Sequence, residues 1–366
     1  MLTSNLLKAI AASEINTALK LYDQLLEKGA DPWDIHLSLF PAVQPILNPP
    51  FINPHLPKMY AIIREFIPYL EIEDIPTLIR IEIAEYAMRP KIKKPVKASA
   101  KKKGISFSDI ETAISYQDIA LTANALKAFL EQKGIMALSR NLLLLGSGYL
   151  NDSLGHSISC TAFILLEMLS RPDDDPWPVL VCLADYFCKG RFNTTSPAIS
   201  AESNISEKAL EEKLLQATAG YGIVNLHHTI TFYAIERVRH LFNFKAYQHL
   251  LQAGIRFMGI KSKDSRKIEP ADTALPGYKQ FYGQFSKKDL NSVLPALLAM
   301  TRSQSDRRRL GRYLIRGVCD LYQGHYNPHY FTGLGSALWI IENYWNNSHL
   351  ISTTLGQYLE FFFDGI

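Results

Sequence analysis

The sequence predicts an all-α protein, and three observations support this. Nearly every long segment places apolar residues at helical spacing, and no series of alternating apolar and polar residues is visible. Helix signals recur, such as the stop at Gly29 and the start at Asp31-Pro32. One short pattern also returns three times in matching surroundings. We therefore expect an array of αα-hairpin repeats behind a small helical N-terminal domain.

The composition is that of an ordinary folded protein. The chain has 366 residues, of which 47% are hydrophobic and 20% are charged, and this excludes a mainly disordered chain. The formal net charge of +4 is too small to indicate nucleic-acid binding, so we expect no nucleic-acid partner. No apolar run approaches the roughly 20 residues of a spanning helix, so we expect no membrane partner.

The cysteines indicate neither a disulfide framework nor a structural zinc site. Cys160, Cys182, Cys188 and Cys319 have no CxxC or zinc-finger spacing. Free thiols suit a reducing compartment, and the first residues contain no apolar core typical of a signal peptide. We therefore expect a cytoplasmic protein.

The first part of the chain, residues 1–89, predicts the N-terminal helical domain. Asn48–Pro57 contains four prolines and is expected to be a loop, because proline does not fit helix interiors. Helices are predicted from about Lys58 to Tyr69 and from about Asp74 to Met88, the second with Pro76 in its first turn.

A Lys-rich segment, residues 90–104, separates this domain from the rest. It is broken by proline and contains Ser and Ala, which is typical of a solvated linker because like charges extend the chain. The alternative is that Lys91–Lys103 forms a basic patch for an anionic partner.

The remaining residues, 105–366, predict the repeat domain. His156, His228 and His329 each begin a long helix, and a second helix of similar length follows each after a short connection. A degenerate further copy is visible at Gln117–Ala123, where the packing residues remain and the His is replaced by Gln.

The repeated pattern is a Tyr, a His seven residues later, an apolar residue two after the His, a Ser or Thr three after it and a small residue six after it. On a helix the His and the hydroxyl three residues later share a face. The Tyr could offer its hydroxyl to the imidazole across the turn. The three copies pair Tyr149 with His156, Tyr221 with His228 and Tyr322 with His329.

Two arrangements of these histidines are open. Helical repeats reuse a residue wherever the same packing problem returns, and the three imidazoles would then lie in a row. If the hairpins instead close around a central cavity, the imidazoles converge. Three histidines with an open position are a familiar arrangement for a transition metal such as iron or zinc. Glu167, eleven residues after His156 and nearly in register with it, is a further candidate ligand or base.

The segments "LGHSISCTAFILLEML" and "NLHHTITFYAIERV" resemble the His-bearing helical segments of questin oxidase-like proteins. Those are all-α proteins whose founding members are fungal Baeyer–Villiger-type oxidases. The resemblance is confined to His156, His228, His329 and their flanks. It implies an oxidoreductase with these histidines near an internal cavity.

The repeated pattern, together with what the resemblance implies, predicts an oxidoreductase-like or metal-assisted enzyme that acts on a small, partly apolar molecule. In this hypothesis His156, His228 and His329 bind a metal or transfer protons. The residues expected to act beside them are Tyr149, Tyr221, Tyr322 and Glu167. The alternative is a non-catalytic helical-repeat scaffold for a protein partner, in which the His/Tyr set is purely structural.

Overall fold

The all-α prediction is confirmed. The computed structural model describes residues 2–93, 96–99, 104–192, 206–219, 221–222, 226–263, 268–272, 277–324 and 327–365. Over these residues the chain forms 19 α-helices, two 3-10 helices and a ribbon of two very short strands. No helix among the described residues combines the length and apolar character that crossing a bilayer requires.

The first nine helices are α1 Leu2–Ala11, α2 Ile15–Glu27, α3 Pro32–Ser38, α4 Phe40–Val43, α5 His55–Ile63, α6 Ile75–Met88, α7 Phe107–Ser115, α8 Ile119–Lys133 and α9 Ile135–Ser147. The next five are α10 His156–Leu169, α11 Trp177–Gly190, α12 Glu207–Thr218, α13 His227–Val238 and α14 Phe244–Lys261. The last five are α15 Tyr278–Phe285, α16 Leu290–Ala299, α17 Gln304–Leu321, α18 His329–Asn343 and α19 Ser348–Gly365. The 3-10 helices are Arg64–Tyr69 and Arg239–Leu241, and the antiparallel ribbon pairs β1 Tyr221–Gly222 with β2 Ser262–Lys263.

Several helix starts follow the signals in the sequence. The Asp31 side chain accepts a hydrogen bond from the Trp33 backbone N–H at the start of α3, where Pro32 occupies the first turn. Ser106 and Asp109 form a reciprocal capping box at α7. Asp118 caps α8 by accepting from the Leu121 N–H. Such caps satisfy backbone donors that have no partner within the helix.

Four helices form a closed ring at the centre of the molecule. α10 packs against α5 and α13, and α18 packs against the same two helices from the other side. Nearly every residue of α10 and α18 is buried, which explains why both helices are apolar around most of their circumference. α11, α14 and α19 contact α10, α13 and α18 from outside the ring.

Each helix of this ring has a histidine as its first residue: His55, His156, His227 and His329. These four histidines lie at the same end of the ring, where the N-termini of α5, α10, α13 and α18 meet.

The start of α5 corrects the sequence-based boundary. The loop expected through Pro57 ends before His55, and α5 covers His55–Ile63 before a 3-10 helix replaces the rest of the predicted helix. Pro54 stands at the N-cap and Pro57 in the first turn. In the first turn the backbone N–H has no helical partner, so a proline there removes no hydrogen bond.

Residues 1–89 share one core with the repeat region. The buried apolar side chains form a single cluster that extends from Leu6 to Phe363, and α5 contacts both α10 and α18. Parts of the Lys-rich segment cross the surface: the Val96 carbonyl accepts from the Trp177 indole, and the Lys97 carbonyl accepts from Asn124. Residues 94–95 and 100–103 of the proposed linker or basic patch lie outside the described residues.

Candidate metal centre

The four histidines that begin the ring helices bring their imidazoles together. The His156 ring centroid lies 4.7 Å from that of His55, 4.9 Å from that of His227 and 5.5 Å from that of His329. His329 lies 5.4 Å from His55 and 4.7 Å from His227. These edge-on contacts form one group, which we call the four-His cluster.

Three members of the cluster offer nitrogens to a common point. One ring nitrogen from each of His55, His156 and His329 lies within 4.8 Å of the other two. All three side chains are at least nine-tenths buried. Their Nε2 atoms have no hydrogen-bond partner among the described residues. Other buried atoms of the described residues, such as His36 Nε2 and Tyr186 Oη, also lack partners, so the argument for a ligand rests on the convergence of these three histidines.

Groups outside the cluster hold the opposite ring nitrogens of two of these histidines. His156 Nδ1 donates to the Ser153 backbone carbonyl at 2.7 Å, and His329 Nδ1 donates to Asn327 Oδ1 at 3.1 Å. Because both partners can only accept, each neutral ring carries its proton on Nδ1 and leaves the lone pair on Nε2. Metal-binding histidines are fixed in this way by carbonyl oxygens.

His55 has a different neighbour. Its Nδ1 lies 3.1 Å from Asn48 Nδ2, an amide nitrogen that can only donate. With this amide orientation the neutral ring carries its proton on Nε2. A half-turn of the Asn48 amide would bring Oδ1 to the same place and allow Nδ1 to donate. Metal binding at His55 Nε2 requires that second orientation.

The surroundings keep the imidazoles neutral. Burial lowers the pKa values of His55, His156 and His329 well below the usual range, and the other members of the cluster and Lys58 lower them further. Only the hydrogen bond from His156 to Ser153 acts in the other direction. Since a metal binds the neutral imidazole, this environment suits coordination.

Lys58 is a buried cation next to the cluster. It lies three residues after His55 on α5 and is fully buried, and its Nζ donates to Ser159 Oγ on α10 at 3.0 Å. Burial lowers the Lys58 pKa to about 8. Lys58 takes the place that Ser or Thr holds three residues after the repeated histidines. The same position thus supplies a charge on α5 and a hydroxyl on α10.

The cluster fits a metal in donor type and needs a small contraction in geometry. Imidazole nitrogen suits zinc, iron and copper. Around a tetrahedral ion with bonds of roughly 2.0–2.1 Å, the ligand nitrogens lie about 3.4 Å apart. The observed upper separation of 4.8 Å means that the rings must move inward on binding.

His228 lies outside this group. Its ring packs edge-on against Phe257 at 5.4 Å, whereas the neighbouring His227 contacts both His156 and His329. The structure therefore places His227, and not His228, beside His156 and His329. α13 begins one residue earlier than expected, and a one-residue shift turns a helix by about 100°.

The Nδ1 atoms of His156 and His329 bond to the Ser153 carbonyl and to Asn327, in the role expected for the tyrosines. The Tyr149 ring stacks on Phe192 at 4.6 Å, and Tyr322 lies 6.3 Å from Phe331. The Tyr221 backbone pairs in the ribbon, and its side chain is outside the described part of the structure. The orienting role predicted for Tyr149 and Tyr322 is filled by the Ser153 carbonyl and by Asn327.

Glu167 lies toward the opposite end of α10, about 16 Å from His156 along the helix axis at 1.5 Å per residue. Arg64 donates to both of its carboxylate oxygens at 2.8 and 2.9 Å, and Arg171 donates to one at 2.7 Å. This geometry explains the buried acid in an apolar stretch as one partner of a structural ion-pair network. It does not bring Glu167 to the cluster.

The sequence pattern missed His55 and Lys58, yet it contained a signal for them. Ala61 follows His55 by six residues, as Ala162 follows His156, and Asn48 precedes His55 by seven residues, where the repeats have Tyr. The prolines around His55 concealed this fourth copy. The degenerate copy at Gln117–Ala123 instead belongs to the start of α8, outside the ring.

Searches of family models, curated proteins and solved structures found no significant match to this chain. The argument for a metal centre therefore rests on the cluster itself, and the resemblance to questin oxidase-like proteins stays a prediction.

Proposed function

We propose that this chain is a metal-dependent enzyme whose single-ion centre is held by His55, His156 and His329. The observation that carries the proposal is the group of three buried Nε2 atoms without partners among the described residues, one from each of three helices. Convergence distinguishes these nitrogens from the buried His36 Nε2, which also lacks a partner among the described residues but belongs to no such group.

Three protein ligands leave coordination positions for a reactant, which is typical of a catalytic metal site. A bound metal would supply Lewis acidity or, in the case of iron, redox chemistry. The His227 ring contacts two of the proposed ligands, but His227 is not part of the group whose nitrogens could share an ion. We propose iron or zinc as the metal and a small, partly apolar molecule as the substrate. Oxidation is proposed on the resemblance to questin oxidase-like proteins.

Metal analysis of the purified protein tests this proposal. We expect about one bound ion per chain in the wild type and loss of binding in His55→Ala, His156→Ala and His329→Ala, each still folded by circular dichroism. His228→Ala is the matched control, because it removes a buried imidazole from the start of α13, at the end of the ring where the cluster lies. It should retain the metal.

The opposite result would support the scaffold hypothesis. If the wild type binds no iron or zinc after incubation and the three variants only lower the melting temperature, the histidines are packing residues and the enzyme proposal is wrong.

A further inference from the structure

With the imidazoles neutral, Lys58 is the charged group that acts on the four-His cluster among the described residues. The groups that shift the pKa values of His55, His156 and His329 are other histidines and Lys58. The group of described residues that could hold a metal contains no carboxylate or thiol. A divalent ion on neutral imidazoles would therefore stand beside a buried ammonium without a negative protein ligand. Buried charge without a partner is costly.

The helix ends add to this positive field. α5, α10, α13 and α18 direct their N-termini toward the cluster, and each N-terminus carries a partial positive charge. Helix N-termini of this kind favour anions. The partnerless Nε2 atoms of His55, His156 and His329 show independently that the same place lacks a ligand.

Lys58 has donors to spare. An ammonium carries three N–H groups, and among the described residues only Ser159 Oγ accepts from it. Two donors of a fully buried cation are thus available to a ligand. The acidic group that interacts with Lys58 is the buried Cys160 thiol, and burial raises the pKa of that thiol to about 11, so it supplies no negative charge at neutral pH. Since a lysine is rarely buried without a counter-charge, the position of Lys58 beside the cluster indicates an anion that is bound together with the metal.

We propose that the centre binds a small monoanion of the carboxylate class and that Lys58 is its counter-charge. This inference rests on the proposed metal centre. A carboxylate has two oxygens, one for the open position left by three histidines and one to accept from Lys58. A single negative charge offsets the ammonium and lowers the net charge of the loaded centre from +3 to +2. The substrate would accordingly carry a carboxylate on a partly apolar body.

Acetate titration of the cobalt-loaded protein tests the inference, because Co²⁺ reports ligand changes in its visible spectrum. We expect acetate to change the spectrum saturably and the neutral isostere acetamide to leave it unchanged. Replacing the ammonium in Lys58→Met should weaken acetate binding by at least about tenfold, the size of one charge-assisted hydrogen bond. Lys58→Gln serves the same purpose if Lys58→Met does not fold.

Lys91→Met is the matched control, because Lys91 is a partly buried lysine that donates to Ser13 and to the Ala87 carbonyl, away from the cluster. It should bind acetate as the wild type does. Cobalt binding without a saturable acetate response, or equal acetate affinity in Lys58→Met, would overturn the inference and leave the metal centre standing.

If cobalt does not bind, the proposed function fails. Calorimetry of acetate with the metal-free protein then decides whether an anion site exists at Lys58 without a metal. Acetate binding that depends on Lys58 would preserve the anion site alone. Absence of binding would overturn it as well.

Discussion

The two ends of the central ring differ in how their polar groups are satisfied. Near the C-terminal ends, Arg64 pairs with Glu167 at 2.8 Å and Arg237 pairs with Glu65 at 2.9 Å. Glu342, near the end of α18, accepts from Arg307 at 3.0 Å. At the N-terminal end, three buried Nε2 atoms and a lysine with one hydrogen bond lack such partners among the described residues.

This difference separates structural polar groups from candidate functional ones. Charges that are paired within the chain are complete without a ligand, and their role is to stabilise the packing of the helices. Groups that are buried and unpaired destabilise the free protein, and such groups are expected where a ligand completes them. Both ends contain residues that the sequence pattern selected as candidates. Glu167 is paired with arginines, whereas the Nε2 atoms of His156 and His329 have no partner among the described residues.

The largest effect is expected at the paired end. Glu167→Ala removes a buried carboxylate and leaves Arg64 and Arg171 without their shared partner, so the free energy of unfolding should fall by about 3 kcal/mol. Urea unfolding measures this loss. Metal content should not change, because Glu167 is far from the cluster. A folded variant that has lost the metal would show that Glu167 serves the centre.

A smaller effect is expected from a group that holds a cluster histidine. Asn327→Leu removes the acceptor of His329 Nδ1 and should weaken metal affinity by about 10- to 100-fold. Asn343→Leu, at the other end of α18, is the matched control, because within the described part of the chain Asn343 bonds to the Trp339 carbonyl and not to the cluster. Competition with a chelator measures both affinities. Equal affinities in the two variants would argue against the assigned role of Asn327.

The smallest effect is expected in the pH dependence of stability without metal. The pKa of His156 is lowered in the folded state by burial and by His55, His227 and Lys58, so below about pH 6.5 the unfolded chain takes up the proton more readily. Stability should therefore be complete above that pH and fall as the pH decreases. His156→Gln should reduce the slope by up to about 1.4 kcal/mol per pH unit. An unchanged slope between pH 6.5 and 5.5 would contradict the neutral, buried imidazole.

The sequence was sufficient for the fold class and for two of the three proposed ligands. Helical periodicity and capping residues identify the helices, because these depend on local spacing. His156 and His329 stood out because the repeated pattern placed each at a helix start. This part of the cluster could be found without tertiary information.

The other members of the site, His55, His227 and Lys58, could not be identified from helical periodicity and capping residues. To choose between His227 and His228, one must know at which residue α13 begins, because neighbouring side chains on a helix point about 100° apart. His55 lay in a proline-rich segment whose last proline falls in the first helical turn, the one place in a helix where proline is tolerated. The role of Lys58 follows only from the packing of α5 against α10.

X-ray absorption at the metal edge tests the central claim most directly. For the iron- or zinc-loaded protein we expect three or four imidazole nitrogens at roughly 2.0–2.2 Å, with one imidazole fewer in His55→Ala. His55 is the decisive residue because the repeated pattern did not single it out and only the fold brings it to the cluster. A first shell without imidazole, or one unchanged in His55→Ala, would contradict the account.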